Sequence, residues 1–264
     1  MKWWVSVWAM EIRKILAYRS DFWITFLGQT TIQLLIARAL WQSIFEAQGT
    51  DSMKGFTLPM LTLYYLIVPI GTRILTGENI GFISREIYDG TFTRYLIYPL
   101  SFFQYKTITY LTQASFYGVQ LILLYTLYHL FYTDSAGSAV NLFTGLGLFF
   151  SASITYLSMA MSLELMSLWA DNVWSLGVML RFFTSFFGGG FIPMVFFPDW
   201  ARVVLEWTPF PYLVGLPVRA TMGLVTTPEI LQGLVLMMSW SLVFMGLARF
   251  IWRRGQKHFT GVGI

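Results

Sequence analysis

Apolar residues run along this chain in six blocks, near 22–45, 57–77, 107–132, 142–163, 173–197 and 229–252. A helix needs about 20 mostly apolar residues to cross a bilayer, so each block predicts a membrane span. Residues 1–20 carry a different pattern. At helical spacing Trp4, Val5, Trp8, Ile12, Ile15 and Leu16 share one face, while Lys2, Ser6 and Arg13 lie opposite. Tryptophan on one face and cations on the other predict a helix lying in the headgroup region; the plainer reading is a polar tail ahead of the first span. Between 193 and 228, Pro193, Pro198, Pro209, Pro211, Pro217 and Pro228 leave apolar stretches too short to span. Trp200, Trp207 and Tyr212 there suit an interface. This segment is expected to be re-entrant, made of short helices that dip into the outer leaflet and return, with a plain apolar external loop as the alternative. The fold class is therefore an all-α integral membrane protein of six transmembrane helices. Its single domain, 1–264, includes an interfacial helix before the first span and a re-entrant segment between spans five and six.

Composition agrees. The 264 residues are 56% hydrophobic and 11% charged, with a mean hydropathy of +0.61. A soluble domain carries about 25% charged residues, so ionic groups are too few to coat a surface in water. The chain has no cysteine, which excludes thiol catalysis and iron–sulfur ligation, and only two histidines, His129 and His258, which nearly excludes a histidine metal cage. No metal site is expected. The residues before the first block, with Lys2, Glu11, Arg13, Lys14 and Arg19 spread among them, do not form a cleavable signal peptide.

The basic residues set an orientation rather than a nucleic-acid footprint, and no nucleic-acid partner is expected. Lys2, Arg13, Lys14 and Arg19 lie at the start, Arg85, Arg94 and Lys106 follow the second block, and Arg253, Arg254 and Lys257 follow the sixth. With six spans these regions share one side. The positive-inside bias then predicts a multi-pass cell-membrane protein with both termini in the cytoplasm.

Chemistry-bearing motifs are sparse. No GxxxxGK[ST] loop occurs, and Gly188-Gly189-Gly190 lies in an apolar block with no lysine after it. That cluster reads as close packing or a kink, not a phosphate cradle. No HExxH or GxSxG occurs either, so no catalytic residues are assigned. Glu164 and Asp171 read as a solvated turn between the fourth and fifth blocks. Three arginines fall within apolar blocks. Arg73 can snorkel to the cytoplasmic headgroups. Arg38 and Arg181 are candidate pathway or pairing charges, since an ionisable group in a span is costly and ordinarily faces a partner or wet cavity.

The connection 78–106 carries the strongest signal. Ile83, Ile87 and Phe92 form a possible apolar side, with Arg85, Glu86 and Asp89 toward water. Gly90 breaks the first short helix, Thr91 can cap a second, and Pro99 ends it. Two short amphipathic helices at a membrane surface suit docking into a partner's groove; the bland alternative is a loop skimming the membrane.

This stretch resembles the segment after the second span of ABC type-2 permeases. There a Glu precedes Gly-Thr, a Leu pair, and a Pro followed by a branched apolar residue and Ser or Thr. Glu86, Gly90, Thr91, Leu96, Pro99, Leu100 and Ser101 match, and Ile97 stands for the second Leu. The prolines from Pro193 to Pro211 and the basic tail from Trp252 to Gly263 continue the likeness over nearly the whole chain. The resemblance implies the transmembrane subunit of an ATP-driven exporter, paired with a second permease subunit in a homo- or heterodimer, in a bacterial inner membrane and in contact with membrane lipids. It implies separate ATPase subunits that hold ATP and Mg, and no cofactor bound by this chain. Arg85, Glu86, Gly90, Thr91, Pro99, Leu100 and Ser101 would form the ATPase-coupling segment. An intramembrane lipid-modifying enzyme is the competing class, and a channel-like or structural membrane protein a third.

Overall fold

The computed structural model describes residues 3–77, 82–132, 138–170 and 173–256. The parts of the sequence reading that fall on Glu78, Asp171 and the tail beyond Gln256 lie outside the described residues. Helix α1 spans Trp3–Ala17 and α2 spans Arg19–Gln48. A tight hairpin of two-residue strands, β1 Ser52–Met53 and β2 Phe56–Thr57, pairs Met53 with Phe56 and leads into α3, Leu58–Thr76. Short α4, Phe82–Tyr88, and α5, Arg94–Ile97, precede α6, Phe102–Tyr132, and α7, Ala139–Glu164. Helix α8 covers Trp174–Phe187. Then come short α9, Asp199–Leu205, α10, Phe210–Leu213, and α11, Gly215–Thr221, and finally α12, Thr227–Gly255.

Among the described residues four helices are long and apolar enough to cross a membrane: α3, α6, α7 with its 3-10 extension to Leu168, and α12. The first and fifth apolar blocks depart from that standard in opposite ways. Helix α2 has the length, 30 residues, but Gln29, Thr30, Thr31, Gln33 and Arg38 dilute its apolar character. Helix α8 is apolar but has only 14 residues, about 21 Å at 1.5 Å per residue. The fifth block was expected near 173–197, with the glycine triplet as close packing or a kink; the helix ends at Phe187, immediately before the triplet. Gly189 takes a φ of 90°, where a Cβ is strained, and the Gly188 carbonyl accepts the Gly215 N–H at 2.7 Å.

Helix α7 is the central post. It packs against α3, α6, α8, α10, α11 and α12, and Phe149, Ala152, Ser153, Thr155 and Tyr156 are fully buried along it. Hydroxyls cross to neighbouring helices: Ser153 Oγ donates to the Ile74 carbonyl at 2.8 Å and Thr155 Oγ1 to the Met237 carbonyl at 3.2 Å. Close approach relies on small residues, as expected where lipid offers no hydrophobic drive between helices. A Cβ on Gly145 would lie 1.9 Å from Thr221 Oγ1 and 2.9 Å from the Thr221 amide nitrogen.

The proline-rich segment forms short helices, as its spacing predicts. Helices α10 and α11 are buried, with Leu213, Val214 and Val218 fully covered against α7 and its neighbours. Non-spanning backbone of this kind needs such protein cover. Trp200 and Trp207 are exposed, but Tyr212, expected at an interface, is buried and donates its hydroxyl to the Glu206 carbonyl at 3.0 Å. Pro228 belongs to the first turn of α12, where Thr226 and Glu229 form a capping box. The proline has no N–H to lose there.

This packing predicts different outcomes for two glycines on one helix. Gly145→Val should destabilise the detergent-solubilised chain by about 1–3 kcal/mol through overpacking. Gly147→Val should be tolerated, because nothing lies within 4 Å of its would-be Cβ. Thermal denaturation of both variants checks this; equal tolerance would refute the tight α7–α11 contact.

Candidate functional site

The connection between α3 and α6 folds as an elbow over residues 82–101. Helix α4 ends at Tyr88, and Gly90 takes a φ of 70°, the left-handed conformation that a helix-ending glycine adopts readily. A 3-10 turn over Thr91–Thr93 then leads into α5. Thr91 opens that turn but does not cap it: its hydroxyl donates back to the Glu86 carbonyl at 3.4 Å. Tyr98, ahead of Pro99, is extended, as the proline ring requires. Ser101 accepts the Gln104 N–H at 3.3 Å, and Gln104 Oε1 accepts the Ser101 N–H at 3.2 Å. Ser101 thus starts α6 through a reciprocal cap, a Ser-x-x-Gln signal legible in the sequence.

Ile83, Ile87 and Phe92 are buried, as their spacing predicts. Glu86 does not face water as expected. Its carboxylate pairs with Arg94, accepts Lys106 Nζ at 2.9 Å, and accepts the Tyr95 hydroxyl at 2.9 and 3.0 Å. Only 12% of the Glu86 side chain and 14% of Lys106 are exposed. Burial pushes the Tyr95 hydroxyl well up, and the neighbouring Glu86 carboxylate adds to the shift, so the phenol remains a proton donor. Glu86 therefore clamps the two sides of the Gly90 break to the foot of α6.

Two further residues attach the elbow to the bundle. Glu164 was expected in a solvated turn; it is buried, and its Oε2 accepts the Ile83 N–H at 2.9 Å. A carboxylate at the first turn of α4 satisfies a backbone donor and suits the positive end of the helix. Trp252 of α12 stacks on Phe102 at 5.0 Å and meets the Phe92 ring at 5.2 Å. The periodicity of the chain marks neither role, because both partners come from distant elements. What the elbow leaves outside is Arg85, paired with Asp89 at 3.6 Å, together with the exposed rings of Tyr88 and Tyr98 and with Ile97, 82% exposed.

Helix α1 packs along α6. Trp4 and Trp8 are exposed and Ile12 and Ile15 half-buried, while Glu11 is buried. Glu11 lines a cavity of about 350 Å³ together with Lys14, Glu86, Lys106 and Glu164. Helix α1 and the elbow therefore share one cavity lined by these charged residues.

A second cavity, about 490 Å³, lies between α2, α3, α6 and α8. Arg73, in the last turn of α3, donates its guanidinium to the Gln29 side chain and lies 5.8 Å from the Tyr117 ring centroid. Arg181 also lines this cavity, whereas Arg38 is exposed on α2 and outside it. Above the cavity, Tyr64 and Tyr65 donate to the carbonyls of Gly189 and Phe191, both at 2.7 Å. These bonds hold the turn after α8 against α3.

No curated protein and no solved structure matches the chain. A family model described as an ABC-2 family transporter protein matches residues 28–263. The match takes in the elbow, both arginines of the second cavity and every helix from α3 onward, and leaves α1 outside. This chain belongs to the ABC-2 transporter family, as a multi-pass membrane permease.

Proposed function

We propose that the chain is the transmembrane subunit of an ATP-driven exporter, paired with a second permease subunit and with separate ATPase subunits that hold ATP and Mg. The observation that carries this reading is the elbow: it is fixed to α6 through Glu86–Lys106, to α7 through Glu164 and to α12 through Trp252. A push on its outer face is thereby transmitted to three long helices at once. Arg85, Tyr88, Ile97 and Tyr98 form the face offered to the ATPase, and Glu86, Gly90, Thr91 and Ser101 hold its shape. In this reading α2 and α8 complete six crossings beside the four long apolar helices, both termini and the elbow lie in the cytoplasm, and the exposed tryptophans of α1 sit in the headgroups. The segment from Pro193 to Thr226 lies toward the outer leaflet. The competing lipid-modifying enzyme gains no support from the elbow, whose charged groups are paired with one another.

Orientation can be read with single cysteines, since the chain has none of its own. In intact cells Ser138→Cys should react with a membrane-impermeant maleimide, and Arg85→Cys should react only after permeabilisation. Labelling of both from outside would overturn the assignment of the elbow to the cytoplasm.

Coupling separates into an outer face and an inner clamp. Arg85→Glu with Ile97→Asp should leave the chain folded and inserted, yet weaken ATPase co-purification at least tenfold, about 1.4 kcal/mol. Glu86→Ala should lower thermal stability by about 3 kcal/mol, because Lys106 and Tyr95 lose their common acceptor. If the outer-face variant binds ATPase and transports normally, the elbow is not the docking surface.

A further inference from the structure

The cavity lined by Arg73 and Arg181 has a charge pattern that packing alone does not require. Arg73 and Arg181 both line it, and none of its described lining residues is acidic. Gln29, Thr72 and Ser185 add neutral polar groups, while Val68, Pro69 and Phe191 supply apolar wall. Among the described residues Arg181 has no ion-pair partner. A cation at membrane depth is costly without a counter-charge or a wet cavity, and guanidinium matches carboxylate, phosphate and sulfonate geometry in a two-pronged contact.

The shape narrows the ligand further. The cavity follows α3 from Val68 to Gly77, about 13 Å of helix, and its volume falls in the range of small-molecule sites. Gln29 and Arg181 are exposed, so the cavity opens sideways from the bundle. The turn at Gly189–Phe191, held by Tyr64 and Tyr65, closes one end.

We infer that this cavity binds an amphiphile with an anionic head, carried between Arg73 and Arg181, and an apolar body laid against Val68, Pro69 and Phe191. This rests on the permease reading and gives it a substrate class. Two sources share the chemistry: an anionic lipid of the membrane and an exported organic acid.

The test uses the full chain in phosphatidylcholine nanodiscs, with the fluorescent fatty acid 11-(dansylamino)undecanoic acid and its methyl ester as probes. The carboxylate should bind at least tenfold more tightly than the ester. Arg181→Gln should remove most of that preference and Arg73→Gln should reduce it, whereas Arg38→Gln should preserve it. Arg73 also bonds α2, so its loss also loosens that packing; Arg181→Gln breaks no hydrogen bond or ion pair among the described residues and decides the matter. Rescue by Arg73→Lys would separate charge from packing. Adding phosphatidylglycerol distinguishes the sources: displacement of the probe assigns the site to a lipid headgroup, and retention assigns it to an exported acid. Either result supports an anion site. Equal binding of acid and ester, or an undiminished preference in Arg181→Gln, overturns it. ATPase co-purification measured on the same proteins keeps the two readings apart: an undiminished preference in Arg181→Gln with ATPase binding intact refutes only this inference, whereas failure of the unaltered chain to bring down an ATPase refutes the permease reading.

Discussion

In hydrocarbon, exchanging lipid for leucine gains a helix little, so association depends on close contact at small residues and on polar groups satisfied across helices. Helix α7 meets that requirement for the whole bundle. Gly145 admits Thr221 of α11, while Ser153 and Thr155 bond to the carbonyls of Ile74 in α3 and Met237 in α12. Glu164 at its end then reaches the elbow. The path from the buried core of the membrane domain to its outer connection therefore runs along one helix, and the elbow inherits its position from that packing.

Burial of charge gives the elbow its stiffness. A carboxylate removed from water is costly unless its lone pairs are filled, and Glu86 fills them from Arg94, Lys106 and Tyr95. Those donors lie beyond Gly90, on α5 and α6, whereas Glu86 lies before it on α4. The left-handed glycine supplies the turn that the clamp then holds closed. Arg85 and Ile97 remain outside and share none of this holding role.

The same balance operates differently in the cavity lined by Arg73 and Arg181. Arg73 is accommodated by Gln29 and Tyr117, so its position belongs partly to the α2–α3–α6 packing. Arg181 sits on the short helix α8 and forms no ion pair with a described residue. One wall of the cavity is thus fixed and the other rests on a helix of 14 residues that ends in glycines. That asymmetry places the less constrained charge where a ligand can meet it.

Hydropathy alone determined the all-α membrane class, the approximate positions of α3, α6, α7 and α12, and the broken character of the segment after α8, because length and proline content constrain any helix in lipid. Local pattern was enough for Gly90, for the buried Ile83, Ile87 and Phe92, and for the extended residue before Pro99, since each depends on neighbours within a few positions. Tertiary structure decided what depends on distant partners. Glu86 turned inward because Lys106 stands 20 positions away, Glu164 became buried because α4 needed an acceptor 81 positions away, and Arg73 bonded across to α2 because Gln29 lay beside it. Helix α8 stopped at its glycines because Gly215 returned to bond Gly188. A charged residue has the same identity whether solvated, clamped or facing a cavity; its surroundings are assembled from segments far apart in the chain, and only their packing selects among those states.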